Sequence, residues 1–343
     1  MGRIFAVWAL ALGVCAAQAA MADFEAPNSA PQSGGDALDG KFWNISLRMY
    51  GGHNDNVDFV GNVDPFFMGS TDSDYIGFTG IGSVRIPVTS YITVGGALRI
   101  DRNHHFGTQR VPIPAANENQ DEYDVSAAQP SAFAETMFVI GGRQGRVGIN
   151  YNLRFEDGEI TALGSTAHTL GLYADLYYDA YTDFGVKASR TWTDFEVAFP
   201  APALDDRDST FTSFGFSGTR WFSGHQRSLT GSVSFNRNDA FGMNFDYHGV
   251  TVSGAFMTRI YGPVSASLNV SHDMRHYPGF VSGFIPAPGR ESQTITTYGL
   301  QVNWVICPGW VLDGFFNYAT YDSNMPQFEG DNKNVGMGLT RTF

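Results

Sequence analysis

The chain of 343 residues has little cysteine, little lysine and no long apolar run beyond its first residues. Its two cysteines are Cys15 and Cys307. Cys15 lies in the apolar leader, so the rest of the chain cannot form an internal disulfide. A membrane-spanning helix needs about 20 consecutive apolar residues, and no stretch after the leader reaches that length. The sequence therefore excludes a disulfide-stapled scaffold and a bundle of membrane helices.

Charge is also sparse, and most of it is negative. Charged residues make up 16% of the chain, the mean hydropathy is -0.16 and the formal net charge is -13. So few charges are atypical of a disordered chain. Binding to nucleic-acid phosphates needs clustered Lys and Arg, and an acidic chain offers the opposite charge. We therefore expect no nucleic-acid partner.

The first residues have the pattern of a secretory signal peptide. Arg3 is followed by an apolar stretch and then by small residues. Cleavage after Ala19 and cleavage after Ala22 both fit this pattern. The following stretch, DFEAPNSAPQSGGDALDG, is rich in Pro, Gly, Ser and Asp, which predicts a flexible periplasmic segment. The expected segments are a signal peptide (1–22), a periplasmic lead-in (23–40) and one barrel domain (41–343).

From Lys41 onward, apolar and polar residues alternate as in a strand with one face in lipid. In the first such strand Trp43, Ile45, Leu47 and Met49 alternate with Asn44, Ser46 and Arg48. The pattern continues through six hairpins and a last strand at Asn334–Phe343, which predicts fourteen strands. An even number brings both chain ends to one side, as a closed antiparallel barrel requires. We predict an all-β fold, a single antiparallel transmembrane β-barrel of about fourteen strands with both termini periplasmic.

Short turns alternate with long connections along this predicted barrel. Short turns are typical of the periplasmic end of a membrane barrel, and long loops are typical of the extracellular end. The longest predicted loop is Arg102–Ala132. Aromatic residues near both ends predict two girdles at the membrane interfaces. The short-turn girdle would contain Trp43, Tyr91, Tyr178, Tyr181, Trp221, Tyr261, Trp304, Trp310 and Phe343, and the long-loop girdle Tyr50, Phe133, Phe155, Trp192, Phe211, Phe235, Tyr298 and Tyr321.

Charged residues at inward positions of the alternation give the main indication of function. The predicted pore-lining residues are Arg48, Arg85, Arg99, Asp101, Arg154, Glu156, Asp175, Lys187 and Asp313. Charges on an inner face are tolerated only where that face is wet or the charges are paired. A ring of mixed charge can tune the passage of small solutes, which favours a porin-like channel for small hydrophilic solutes. The alternative is that these groups pair with each other and fill the lumen.

The last ten residues, NVGMGLTRTF, resemble the sorting signal of Gram-negative outer-membrane barrels. Phe343 stands where that signal has its final aromatic residue, and Val335, Met337 and Leu339 match its alternating apolar positions. Arg341 departs from the pattern, which usually has an aromatic or apolar residue there. The resemblance implies insertion into the cell outer membrane by the barrel-insertion machinery. It also implies contact with outer-membrane lipid and lipopolysaccharide.

Two further resemblances imply alternative functions. ISLRMYGGHNDNV and TTYGLQVNWVICPGWVLDGFFNY are similar to barrels that often follow tetratricopeptide repeats, a group that includes surface-lipoprotein assembly modifiers. That similarity implies an assembly or export barrel working with periplasmic partners. The stretch His53–Tyr75 is similar to the acidic Asn/Asp opening of lipid A deacylases, which implies a lipid A-modifying hydrolase. No partner motif follows it, so we expect no enzyme, no cofactor and no metal site, while the oligomeric state stays open.

Overall fold

The computed structural model describes residues 42–55, 73–106, 124–158, 164–196, 206–279, 291–324 and 329–343. Within these ranges the chain forms fourteen strands and no helix. The predicted signal peptide (1–22) and the lead-in (23–40) lie outside the described residues. No helix of the described part has the length and apolarity that a membrane span requires.

The strands are 12 to 17 residues long, which exceeds the roughly 9–11 residues that a tilted strand needs to cross a bilayer. In chain order they are β1 (Trp43–Asn54), β2 (Ser73–Pro87), β3 (Ile92–Phe106), β4 (Val125–Ile140), β5 (Arg143–Gly158), β6 (Ser165–Asp179), β7 (Thr182–Phe195), β8 (Ser209–Phe222), β9 (Arg227–Ala240), β10 (Tyr247–Tyr261), β11 (Val264–Tyr277), β12 (Glu291–Cys307), β13 (Trp310–Ser323) and β14 (Gly330–Thr342).

Each strand pairs antiparallel with its neighbours in sequence, and β1 closes the sheet on β14. At the seam Arg48 of β1 lies opposite Thr340, and the Phe343 N–H donates to the Ile45 carbonyl at 2.9 Å. Closure leaves no strand edge with unpaired backbone groups, which an apolar medium would not tolerate. The predicted single antiparallel barrel of about fourteen strands is confirmed.

The two faces of the barrel differ in polarity because side chains alternate along every strand. On the outer face of β1, Ile45, Leu47 and Met49 are exposed by 42%, 39% and 64%. The buried apolar residues, such as Tyr75, Ile295 and Tyr321, lie on the inner face instead. A protein in water would cover so many large apolar side chains, so the outer face fits contact with lipid.

The predicted loop Arg102–Ala132 is wrong at both ends. Strand β3 continues to Phe106, and β4 begins at Val125. The missed part of β4, VSAAQPSA, contains only small outward side chains and a proline, so it lacks the apolar alternation of a membrane strand. Its pairing with β5 is interrupted at Gln129 and Pro130, because proline has no N–H to donate.

Five members of the predicted aromatic girdles are on the wrong face. The register places Tyr50, Phe133, Phe211, Trp221 and Tyr321 on the inner face. Tyr50, for example, pairs with Gly77 and Gly338 on the same face as Arg48. Distance from a turn predicts the height of a residue on the barrel, but only its odd or even position along the strand decides its face. Trp43, Trp192 and Trp304 do lie on the outer face.

Candidate functional site

The inner face of the barrel contains all nine residues that the sequence singled out as lining a pore. Their positions follow from the strand register, which places each beside inward neighbours on the adjacent strands. These residues are Arg48, Arg85, Arg99, Asp101, Arg154, Glu156, Asp175, Lys187 and Asp313. The structure brings them together on one surface, but it divides them into separate pairs rather than a single ring.

One pair joins strands on either side of β14. The Arg48 guanidinium reaches across this strand to the Asp313 carboxylate, with Nη2–Oδ2 and Nε–Oδ1 distances of 2.5 and 3.3 Å. Gly338 makes the crossing possible, since a Cβ there would lie 2.7 Å from Arg48 Nε and 2.9 Å from Asp313 Oδ1. The guanidinium also lies 4.9 Å from the Tyr50 ring centroid. Asp313 is nearly inaccessible, so its charge is neutralised within the wall.

A second set of four charges alternates in sign across β2, β4, β5 and β6, and we call it the charge ladder: Arg85, Glu135, Arg146 and Asp175. Arg85 pairs with Glu135, while Arg146 contacts Glu135 at 3.4 Å and Asp175 at 2.5 Å. The side chains of Glu135 and Arg146 are only 6% and 11% exposed. Each inner carboxylate of the ladder therefore has a guanidinium partner, which offsets the cost of removing it from water.

Tyr173 of β6 completes the charge ladder. Its hydroxyl donates to Glu135 Oε2 at 2.8 Å, and its ring lies across β5 at Gly148. A Cβ at Gly148 would lie 2.5 Å from both the Cζ and the hydroxyl oxygen of Tyr173. Glycine at this inward position therefore opens a path for a side chain to reach two strands away.

The sequence analysis missed Glu135 and Arg146, the central members of the ladder. Glu135 stands between Phe133 and Met137 at the inward positions of β4, so apolar neighbours obscured a polar face. Arg146 directly follows the glycine-rich stretch GGRQG, so the sequence does not show clearly where the strand alternation begins. Counting back by twos from Asn150, through Gly148, would have placed Arg146 on the inner face.

The two remaining arginines that were predicted to line the pore have carboxylate partners two residues away on the same strand. Arg99 Nε donates to Asp101 at 2.7 Å, and Arg154 Nη2 lies 2.6 Å from Glu156. A further pair of this type, Arg275 with Asp273 at 2.6 Å, was also missed. Together with the pairs above, six inner arginines are matched by six carboxylates in the described part of the chain.

Lys187 is the exception among the predicted cations. It lies on the inner face between Tyr173 of β6 and Gly215 of β8, and it is exposed. Among the described residues, no carboxylate oxygen lies within 4.0 Å of its ammonium group. Lys187 therefore presents a positive charge to whatever fills the lumen.

The other side of the lumen, from β8 to β12, is lined mainly by uncharged hydroxyl and amide groups, and we call it the hydroxyl wall. Its members include Ser213, Ser217, Thr219, Thr230, Ser232, Ser234, Asn236, Thr251, Ser253, Ser267, Asn269, Ser271, Thr297, Gln301 and Asn303. Neighbours hydrogen bond across strands, as in Ser232–Ser253 at 2.6 Å and Asn236–Thr251 at 2.8 Å. Each hydroxyl has a second lone pair or a rotatable proton for water.

The stretch that resembles lipid A deacylases does not form an inward cluster in its described part. His53 and Asp74 are paired at 3.0 Å, but they lie on the outer face of β1 and β2. Residues 56–72 of this stretch lie outside the described residues. Within the ranges that the structure covers, no three His, Cys, Asp or Glu side chains gather as a metal site would require.

Comparison with known proteins finds no matching family model and no matching curated protein. Solved barrels do match. A bacterial polysaccharide outer-membrane secretin is 11% identical with a TM-score of 0.44, over 87% of this chain and 98% of that one. OccAB3 of Acinetobacter baumannii is 10% identical with a TM-score of 0.43, over 88% and 99%. A deletion mutant of the TodX monoaromatic hydrocarbon channel is 7% identical with a TM-score of 0.46, over 88% and 90%.

Because these solved barrels are only 7–11% identical to the chain, we assign the fold from the chain's own closed strand register. We infer the function from the side chains on its inner face. The resemblance to surface-lipoprotein assembly modifiers has no counterpart in these comparisons.

Proposed function

We propose that this protein is a porin-like channel of the Gram-negative outer membrane for the passive passage of small hydrophilic solutes. The observation that supports this proposal most strongly is that the closed barrel is apolar outside and polar inside, the reverse of a protein that folds in water. Exposed Ile, Leu, Val and Phe side chains cover the outer face, while charged, hydroxyl and amide groups cover the inner face. Polar groups on an inner wall are stable where that wall is hydrated, which is the property that a small polar solute needs.

The pairing of the inner charges suggests how this channel treats ions. Six guanidinium groups and six carboxylates neutralise each other within the wall, so they produce little net field in the lumen. Lys187 and Arg259 add two inner positive charges without a carboxylate partner, and Asp183 adds one inner negative charge without a guanidinium partner, in the described residues. We propose that the nine predicted lining residues act mainly as a hydrated, nearly neutral wall, with weak selectivity between small ions.

The chain end supports the proposed location. Val335, Met337 and Leu339 are exposed on the outer face by 50%, 67% and 39%, and the exposed Phe343 follows them. We propose that this strand is the signal read by the barrel-insertion machinery, that lipopolysaccharide surrounds the long-loop end, and that both termini are periplasmic. The first and last strands do start and end beside the short turns. We propose no catalytic role.

Swelling of liposomes in isotonic sugar solutions tests the proposed passage. Liposomes containing the folded protein should swell in arabinose or glucose, and the rate should fall as the sugar becomes larger. The variant Ser232→Trp/Ser253→Trp places two bulky rings on the inner face and should slow this swelling several-fold. Val233→Trp/Val252→Trp adds the same rings at the neighbouring outer positions and should leave the rate unchanged.

A folded barrel that permits no swelling above protein-free liposomes would contradict the proposal. Equal swelling by the inward and outward Trp variants would also contradict it, because solutes would then not be passing along the inner face.

A further inference from the structure

A row of basic side chains crosses five adjacent strands on the outer face. The register aligns Arg190 of β7 with Thr212 of β8, then with Arg237 of β9, His248 of β10 and His276 of β11. Each residue pairs directly with the next, so neighbouring side chains start about 5 Å apart. We call the four basic residues, Arg190, Arg237, His248 and His276, the cationic row.

The cationic row lies at the boundary between the apolar band and the long-loop end. The adjacent outward row toward the short turns is apolar and consists of Ala188, Phe214, Phe235, Val250 and Met274. Phe214, Phe235 and Met274 in it are exposed by 42%, 52% and 42%. For a barrel in a bilayer, the polar edge of the apolar band is the level of the lipid headgroups.

Three members of the cationic row lack an acidic partner. In the described residues no carboxylate oxygen lies within 4.0 Å of Arg190, His248 or His276, whereas Arg237 pairs with Asp239 at 2.6 Å. The Arg237–Asp239 pair is exposed to solvent. Asp239 contacts Arg237 through Nε, so the other guanidinium N–H groups of Arg237 remain available as donors. The rings of His248 and His276 are 5.1 Å apart, so two imidazoles face the same site.

The same boundary on the opposite side of the barrel has a different charge pattern. There several outward basic side chains are paired with carboxylates: His53 pairs with Asp74, and His104 pairs with Asp124. Arg102 of β3 is also outward and lines one pocket with Asp124 and Asp157. Lys333 lies 3.4 Å from both Asp55 and Asp331. In the described residues, the outward basic side chains at this boundary that lack a carboxylate within 4.0 Å are therefore most numerous on β7 to β11, where Arg190, His248 and His276 lie.

We propose that the cationic row binds the phosphate groups of lipids in the surrounding leaflet. The proposal rests on the membrane placement proposed above and does not depend on conduction. Guanidinium groups bind phosphate through paired N–H donors, and imidazole N–H groups add further donors. The row extends over four strand spacings, about 19 Å, so one headgroup with several phosphates, or two adjacent headgroups, can engage it.

Native mass spectrometry of the full-length protein, purified from outer membranes in mild detergent, tests this proposal. The probes are short-chain phosphatidic acid, which has a phosphate monoester, short-chain phosphatidylcholine, and inorganic phosphate. Wild-type protein should bind phosphatidic acid at least tenfold more tightly than either other probe. The variant Arg190→Gln/His248→Gln/His276→Gln should lose most of this preference. The control Arg220→Gln/Arg227→Gln removes outward cations at the short-turn end and should keep it.

Equal binding of phosphatidic acid by the wild type and the triple variant would overturn the proposal. Equal binding of inorganic phosphate and the lipid would identify a free-phosphate site and would overturn it as well. Resistance of the barrel to detergent unfolding at room temperature shows whether each variant is folded. Should the triple variant not fold, the single variants His248→Gln and His276→Gln should each weaken binding about threefold. The two proposals fail separately: if the cationic row does not bind lipid phosphate but the channel proposal is right, the preference for phosphatidic acid is absent while liposomes still swell.

Discussion

Single side chains on the inner face of the barrel act mainly by neutralising one another. Glu135 shows this most clearly, because it accepts from Arg146 and Tyr173 and pairs with Arg85 while being almost inaccessible. Removing one member of such a cluster leaves the others with unmatched charge in a poorly hydrated place. Breaking an exposed ion pair on the outer face costs less stability, because water solvates the remaining partner.

Glu135→Ala should therefore destabilise the folded barrel by about 2–3 kcal/mol, somewhat less than a fully buried pair because Arg85 is half exposed. Asp239→Ala breaks the exposed pair with Arg237 and should cost about 0.5 kcal/mol or less. Urea unfolding in lipid vesicles measures both changes. Equal effects of the two variants would show that the ladder does not stabilise the inner wall.

Lys187 is expected to set the small ion preference of the lumen. Replacing its positive charge by a negative one in Lys187→Glu should shift the reversal potential in a KCl gradient toward cations. The permeability ratio should change about two- to fivefold, because two unit charges about 8 Å from a passing ion amount to roughly 1 kcal/mol in water. Lys333→Glu changes the same charge on the outer face and should leave the ratio unaltered. Similar shifts in both variants would contradict a lumenal Lys187.

Alternation in the sequence was sufficient to place the predicted lining residues on one face, but it could not give their partners. Arg48 and Asp313 are far apart in the chain and meet only because the seam brings β1 beside β14. Glu135 and Arg146 escaped notice because apolar and turn residues surround them. Pairing across strands depends on register, and register follows from turn geometry that the residue pattern specifies only loosely.

At the scale of strands, inward glycines decide which side chains can meet. Gly148→Ala should destabilise the barrel by about 1–3 kcal/mol, because the new methyl group would displace Tyr173 from Glu135. Gly231→Ala adds the same methyl group on the outer face, where nothing lies within 4 Å, and should change stability by about 0.5 kcal/mol or less. Urea midpoints of the two variants test this difference. A larger loss of stability in Gly231→Ala than in Gly148→Ala would contradict the claim that Gly148 makes room for Tyr173 to reach Glu135.

The proposed sorting signal at the end of the chain is tested by assembly in the cell rather than by stability. Phe343→Ala should reduce the amount of folded barrel in the outer membrane several-fold, while refolding in detergent proceeds as for the wild type. The backbone N–H of residue 343 still bonds to Ile45 in this variant. Phe42→Ala removes another exposed aromatic at the same end and should assemble normally. Equal losses in both variants would argue against a terminal signal.

Strand number was predictable because the apolar alternation is strong in most strands, whereas strand ends were not. The start of β4 was missed because Ser126, Ala128 and Ala132 face outward with little apolar surface, and Pro130 marks a break in pairing. The faces of Tyr50 and Phe133 were misassigned for a related reason. Aromatic rings suit both a lipid interface and a crowded inner wall, so residue type alone does not distinguish them.

For the whole molecule, the closed hydrogen-bonded cylinder provides the stability that a soluble protein obtains from an apolar core. Its apolar surface faces outward and its polar groups face inward, which supports the proposed hydrated path across an apolar layer. The cationic row and the charge ladder lie on opposite faces of this cylinder. Lipid contact and solute passage are therefore expected to respond to different substitutions.

The central claim, an open hydrated lumen, is tested most directly by single-channel current across a planar bilayer. The full-length protein, purified from outer membranes and shown to be folded, is added to one side. The account predicts discrete current steps of constant size that increase with salt concentration and vary linearly with voltage. A folded, inserted barrel that passes no current at any voltage would contradict it, and the paired inner charges would then be a filling of the lumen rather than its lining.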